Sequence, residues 1–174
     1  EDHERAISDV FLTWGWDVEG DPKIKPVGNL KMAGLDWGWD PKGGALMVEM
    51  VLPRYSYYMY SVPVASQWFD YFEDQCRFVS ALPERLCKEL TVRLHPLDYG
   101  LCPKQRWKER FPDIRLDECV APIVPLIKKS RLCISTYNAT TFLESLAMNI
   151  PTLMFWNPKH WELRDSAIPF FEQL

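Results

Sequence analysis

Ser135-Thr136-Tyr137-Asn138-Ala139-Thr140-Thr141-Phe142-Leu143-Glu144-Ser145-Leu146-Ala147-Met148-Asn149-Ile150-Pro151-Thr152 reads as a strand exit, a polar turn and a helix in one run. Leu132, Cys133 and Ile134 just ahead of it form a short apolar run, the mark of a buried strand. Ala139, Phe142, Leu143, Leu146 and Ala147 then recur at helical spacing. The pattern predicts a strand over 131–135, a helix over 138–149 stopped by Ile150-Pro151, and a second buried strand over 152–156. The first turn of such a helix has unsatisfied N–H groups and the positive end of the macrodipole. Polar side chains there either cap the helix or orient a phosphate.

Two capping schemes fit the turn: Asn138 as the cap with Thr141 three positions on, or Thr141 as the cap with Glu144 completing a capping box. A cap uses one or two polar residues, whereas Ser135, Thr136, Asn138, Thr140 and Thr141 crowd this one turn. A ligand explains the excess. Glu144, one turn further in, is placed either to accept hydrogen bonds from ribose hydroxyls or to satisfy the helix dipole.

Outward from this unit the alternation continues. Leu46–Leu52 reads as a strand, Ser66–Leu82 as a helix, Leu90–Leu94 as a strand and Pro122–Lys129 as a helix led in by proline. Residues 98–120 read as irregular and polar with a short strand at Ile114–Leu116, and a final helix is expected from about His160. Strands alternating with helices predict an α/β domain: a Rossmann-like, mostly parallel sheet with helices on both faces. In such sheets ligands bind at the carboxyl ends of the strands. Residues 1–44 differ, with a helix expected at Arg5–Leu12 and then Gly-, Pro- and Lys-rich sequence with Trp-Gly-Trp-Asp at 14–17 and 37–40. They read as an N-terminal extension or linker before a domain over 45–174. The tryptophans offer aromatic faces for a sugar, although packing on the domain edge is the favoured reading. Both ends run within helical patterns, as in a fragment of a longer protein.

With 20 basic and 24 acidic residues, the net charge of −4 excludes a general electrostatic case for nucleic acid. The apolar run Ala45–Leu52 is short and broken by Glu49, so neither a membrane span nor a signal peptide is expected and the chain reads as cytoplasmic. Five cysteines without a CxxC pair suit reduced thiols, and three scattered histidines predict no metal site. The loops after other strands carry further candidates. His95, before Pro96, would project at the carboxyl edge toward a phosphate. Lys159, His160 and Arg164 gather cations after the strand at 152–156, and Arg54 stands with several tyrosines after the first strand. No Gly-x-Gly-x-x-Gly, Walker loop or Gly-x-Ser-x-Gly elbow is present, which removes the usual support for dehydrogenase, P-loop and hydrolase readings.

A His-Pro after one strand and, about 40 residues later, a Ser/Thr-rich turn leading into a Glu-bearing helix that ends in Pro resemble the C-terminal, donor-binding half of GT-B glycosyltransferases. Ser135–Pro158 with Lys159-His160-Trp161-Glu162-Leu163-Arg164 looks more narrowly like transferases encoded in bacterial O-antigen and surface-polysaccharide clusters. The same elements are similar to those of capsule Kdo transferases, polysialyltransferases and polyol-phosphate transferases, which use cytidine-nucleotide donors. The resemblance implies a nucleotide-sugar donor with no cofactor, and His95 on the donor phosphate, where it serves catalysis by steadying the leaving group. It further implies that Ser135, Thr136, Asn138, Thr140 and Thr141 hold phosphate and ribose, and that Glu144 meets the ribose. The implied partners are an N-terminal acceptor domain outside this chain and a glycan or lipid-linked acceptor, with peripheral membrane association compatible. The glycine common before the Glu-bearing helix is replaced here by Asn138, which tolerates the same left-handed turn. A polyol-phosphate transferase using a CDP donor and a non-catalytic glycan- or protein-binding module stand as the alternatives.

Overall fold

The computed structural model describes residues 2–34, 38–53, 55 and 62–173. The chain divides into two compact units, Glu1–Trp37 and Gly38–Leu174. In the first, α1 (Asp2–Ile7) is followed by two short parallel strands, β1 (Phe11–Thr13) and β2 (Ile24–Pro26), and a 3-10 turn at Leu30–Met32. The helix expected over Arg5–Leu12 is thus corrected: Phe11 and Leu12, an aromatic and an apolar residue beside Thr13, pair with Ile24 and Lys25 as a strand. Arg5 and Asp21 pair at 2.8 Å, and the rings of Phe11 and Trp16 lie 6.0 Å apart. Trp14 and Trp16 keep 50% and 41% of their surface exposed.

The second unit is an α/β domain. Five strands, β3 (Gly44–Val48), β4 (Leu90–Arg93), β5 (Arg115–Asp117), β6 (Ser130–Ser135) and β7 (Thr152–Met154), form one sheet in the order β5-β4-β3-β6-β7, and every pair is parallel. Parallel neighbours need crossovers, supplied by α2 (Gln67–Ala81), α3 (Glu84–Glu89), α4 (Pro103–Arg110), α5 (Ile123–Lys128) and α6 (Thr140–Ala147). The crossovers run one way from β3 to β5 and the other way from β6 to β7, which under the right-handed rule for parallel βαβ units puts helices on both faces. The order matches the first five strands of a doubly wound Rossmann sheet, as the sequence alternation predicts.

Three expectations need correction. Residues 98–120 contain α4, eight residues whose burial rests on Pro103 and Trp107, so no apolar stripe announces the helix. The helix expected from His160 is instead a set of turns, because the Lys159 N–H bonds to the Asn157 side chain and the His160 and Trp161 N–H groups to the Asn157 carbonyl. A short helix α7 forms only at Ile168–Phe171. Neither capping scheme for α6 holds: the cap position is Ala139, in extended conformation and without a side-chain cap bond.

The core of this unit lies against β3 and β4. From α2, Trp68, Tyr71, Phe72, Cys76 and Val79 point inward at helical spacing. Phe72 stacks on Trp68 at 5.3 Å and meets Trp107 of α4 edge-on at 5.1 Å. At the amino end of β3, a Cβ on Gly43 or Gly44 would run into the carbonyl oxygen of Lys129 or Glu89, so glycine alone lets those backbones approach.

Candidate functional site

Strand order fixes where a ligand crevice opens. From β3 the chain moves outward through β4 to β5, then returns to the other side of β3 for β6, so the topological switch point lies at the carboxyl ends of β3 and β6. The last ladder pair across that line is Val48 with Ser135. Beyond it side chains take over the connection. Thr136 Oγ1 donates to the Val48 carbonyl at 2.8 Å, and the Tyr71 hydroxyl lies 2.5 Å from Thr136 Oγ1 and accepts the Met50 N–H at 2.9 Å. Because the single Thr136 proton goes to Val48, the Tyr71 proton goes to Thr136. Trp68 Nε1 donates to the Met50 carbonyl at 3.3 Å, so α2 holds both backbone groups of Met50.

Beside this relay sits Glu49, 2% exposed. Its Oε2 accepts the Trp107 Nε1–H, while its Oε1 has no partner. Burial pushes the carboxyl up to about 8, opposed by the indole bond. Burial likewise raises the Tyr71 hydroxyl well above its ordinary value, with the Glu49 charge acting in the same direction. Sequence reading missed both residues. The available signal was a lone acid inside the apolar run 45–52, at the end of the central strand.

The sequence-derived candidates divide into groups. Ser135 and Thr136 are fully buried with their hydroxyls engaged inside the fold, Ser135 Oγ donating to the Tyr137 carbonyl at 2.8 Å. Thr141 is buried and pairs with the Tyr137 hydroxyl at 2.8 Å. Asn138 is half-buried and Thr140 exposed, so these two side chains present themselves at the uncapped start of α6. Glu144 is buried within α6 and engaged.

His95 follows β4 at the carboxyl edge, as its position before Pro96 predicts. Its Nδ1 lies 3.0 Å from the Leu97 carbonyl oxygen and 3.2 Å from the Leu97 nitrogen, and its ring stacks near Tyr99 at 6.0 Å. The ring lines a cleft of about 370 Å³ with Asp98, Cys102, Lys104 and Glu118, and Lys104 pairs with Glu118 at 2.7 Å. Arg93, one turn of strand earlier, is buried: it donates to Asp117, to Cys119 Sγ at 3.0 Å and to the Ala121 carbonyl at 2.7 Å, tying β4 to the chain leaving β5.

On the other flank, the Phe155 N–H bonds to the Ser135 carbonyl, which carries β7 out beside β6. Lys159 and Arg164 are exposed, whereas His160 is 6% exposed with Nδ1 unpartnered. Trp161 turns back to meet Tyr71 edge-on at 5.1 Å. Arg54, and the tyrosines at 57, 58 and 60, lie outside the described residues. The sheet thus brings His95, Asn138, Thr140, Lys159 and His160 to one edge, with the exits of β4 and β6 flanking Glu49 at about 5 Å strand spacing on either side.

Among the described residues no cluster of His, Cys, Asp and Glu could hold a metal ion, and no helix is long and apolar enough to cross a membrane. No curated protein matches the chain, and no solved structure matches it. A family model described as LIC12162 family transferase matches residues 1–174, and the chain belongs to that family of transferases.

Proposed function

We propose that the α/β unit is the donor-binding half of a GT-B-type glycosyltransferase that moves a sugar from a nucleotide-sugar to a surface-polysaccharide or O-antigen acceptor. The observation that carries this reading is the uncapped start of α6 at the switch point of a doubly wound sheet, inside a chain of a transferase family. The backbone N–H groups at 140–142, together with Asn138 and Thr140, take the nucleotide phosphate. His95 approaches from β4 and Lys159 from the loop after β7. In the transfer, the bond from the anomeric carbon to the phosphate oxygen breaks with its electron pair leaving on the nucleotide, and the acceptor hydroxyl oxygen forms the new bond. Its proton passes to a base supplied by the acceptor domain. Charge grows on the departing phosphate, where fixed donors lower the barrier. A CMP-linked ulosonic acid is the donor that the cytidine-type resemblance favours.

A thermal-shift series with CMP, CDP, UDP and GDP tests the reading. A nucleotide at 100 times its dissociation constant stabilises the folded state by about 2.7 kcal/mol. His95→Ala and Asn138→Ala reduce that shift without unfolding the chain, and Glu144→Gln does so if the carboxylate orders the ribose. Binding that survives all three changes removes these residues from the site. Preference for a CDP-polyol over sugar nucleotides redirects the chemistry to polyol-phosphate transfer, and no shift with any nucleotide leaves a non-catalytic binding module.

A further inference from the structure

We infer that Glu49, locked by Trp107 beneath the switch-point crevice, is a positioning residue for the transfer reaction, standing as a neutral acid that sets the course of the chain leaving β3. Taking the crevice as the donor site rests on the proposed function; the state of Glu49 does not. Three observations carry it. The first is geometric. Glu49 is the first residue past β3; its own N–H bonds to the Arg93 carbonyl, its Oε2 takes the Trp107 N–H, and the next residue is held at both backbone groups by Tyr71 and Trp68. The segment that leaves β3 is therefore aimed by α2 and α4 through positions 49 and 50.

The second is the absence of a compensating charge among the described residues. From α2 the titratable neighbours are Tyr71 and Cys76, and an ionised Glu49 pushes both of them up. From α4 comes only the uncharged Trp107 N–H. From β4 comes Arg93, whose guanidinium is turned to Asp117, Cys119 and Ala121. From β6 come the hydroxyls of Ser135 and Thr136, which are already engaged. An unpaired buried carboxylate is costly and neutralises instead, and burial raises this group to about 8.

The third is chemical economy. An apolar residue of similar size would avoid the unpaired Oε1, yet it would strand the Trp107 N–H. A neutral acid or its amide satisfies the indole; an ionised one puts a charge beside the Tyr71 relay. Loss of the Glu49 proton thus loosens the hold on Met50.

The test compares the wild-type chain with Glu49→Gln and Glu49→Met. The folded group sits near 8 and its unfolded reference at 4.5, so the stability due to the neutral acid is full below about 4.5 and is lost as pH rises through 8. Across that window the wild-type unfolding constant, from denaturant titrations, rises about tenfold per pH unit relative to Glu49→Gln. Parallel curves overturn the inference. Amide exchange of the wild-type chain supplies the second readout: between pH 7 and 9 the protection of Val92, inside β4, follows the global unfolding constant, and that of Met50 falls by about tenfold more. Equal behaviour of the two amides overturns the positioning role even if Glu49→Gln fails to fold. Glu49→Met lacks the acid and the acceptor, so it loses Met50 protection at every pH. Nucleotide binding is measured separately; its failure counts against the donor-site reading and leaves both pH comparisons standing.

Discussion

Tyr71 shows how much one hydroxyl can connect. It accepts the Met50 N–H, donates to Thr136, and through Thr136 reaches the Val48 carbonyl, so a side-chain bridge spans β3 and β6 where their ladder ends. Removing it leaves a buried N–H without an acceptor and a buried threonine oxygen without its donor, at about 1–3 kcal/mol each. Tyr71→Phe keeps the ring against Trp161 and is expected to lower stability by about 2–4 kcal/mol, read from the denaturation midpoint at constant slope. A loss below about 0.5 kcal/mol would mean that water replaces the hydroxyl and the bridge is not structural. Ser135 and Thr136 looked from sequence like ligand hydroxyls because residue type alone does not say whether a polar group at a strand exit faces a crevice or a neighbouring strand.

At the scale of elements, α6 was legible because an apolar run, a polar turn and a helical stripe followed in order. Its start was not: sequence favours the residue with the best capping side chain, while the chain enters the helix at Ala139. That choice leaves the first turn to something else. Ala139→Asp supplies the absent cap and is expected to stabilise the free domain by about 0.5–2 kcal/mol. The same carboxylate repels an anion at the helix start, so the nucleotide thermal shift falls; a larger shift would place the phosphate elsewhere. In contrast, α4 was illegible because Lys104, Gln105, Lys108, Glu109 and Arg110 are exposed and the burial of the helix rests on Pro103 and Trp107. With it went Glu49, whose role depends on Trp107 arriving 58 residues later in the chain. The turns at 157–167 hid for a related reason: Asn157 organises them through both its side chain and its carbonyl, and the Trp161 ring is drawn inward to Tyr71.

Across the whole molecule, parallel pairing sends every strand of the second unit out at the same edge, and so the loops with His95, Asn138, Thr140 and Lys159 share it. The opposite edge is closed by backbone contacts at Gly43 and Gly44. The buried core cluster lies within the second unit. The five thiols, scattered through that unit, report the same division of inside from surface. Cys76 and Cys133 are fully buried and burial pushes each up to about 11, whereas Cys102 is exposed and lines the cleft beside His95. Thiolate, and access to it, governs alkylation. Brief treatment of the native chain with a maleimide dye near pH 7 is therefore expected to mark Cys102 first and to spare Cys76 and Cys133 until the chain is denatured, as peptide mass mapping can score. A dye attached there lines the same cleft as His95, so under the proposed donor-site reading it becomes an optical gauge of nucleotide arrival, with no engineered label required.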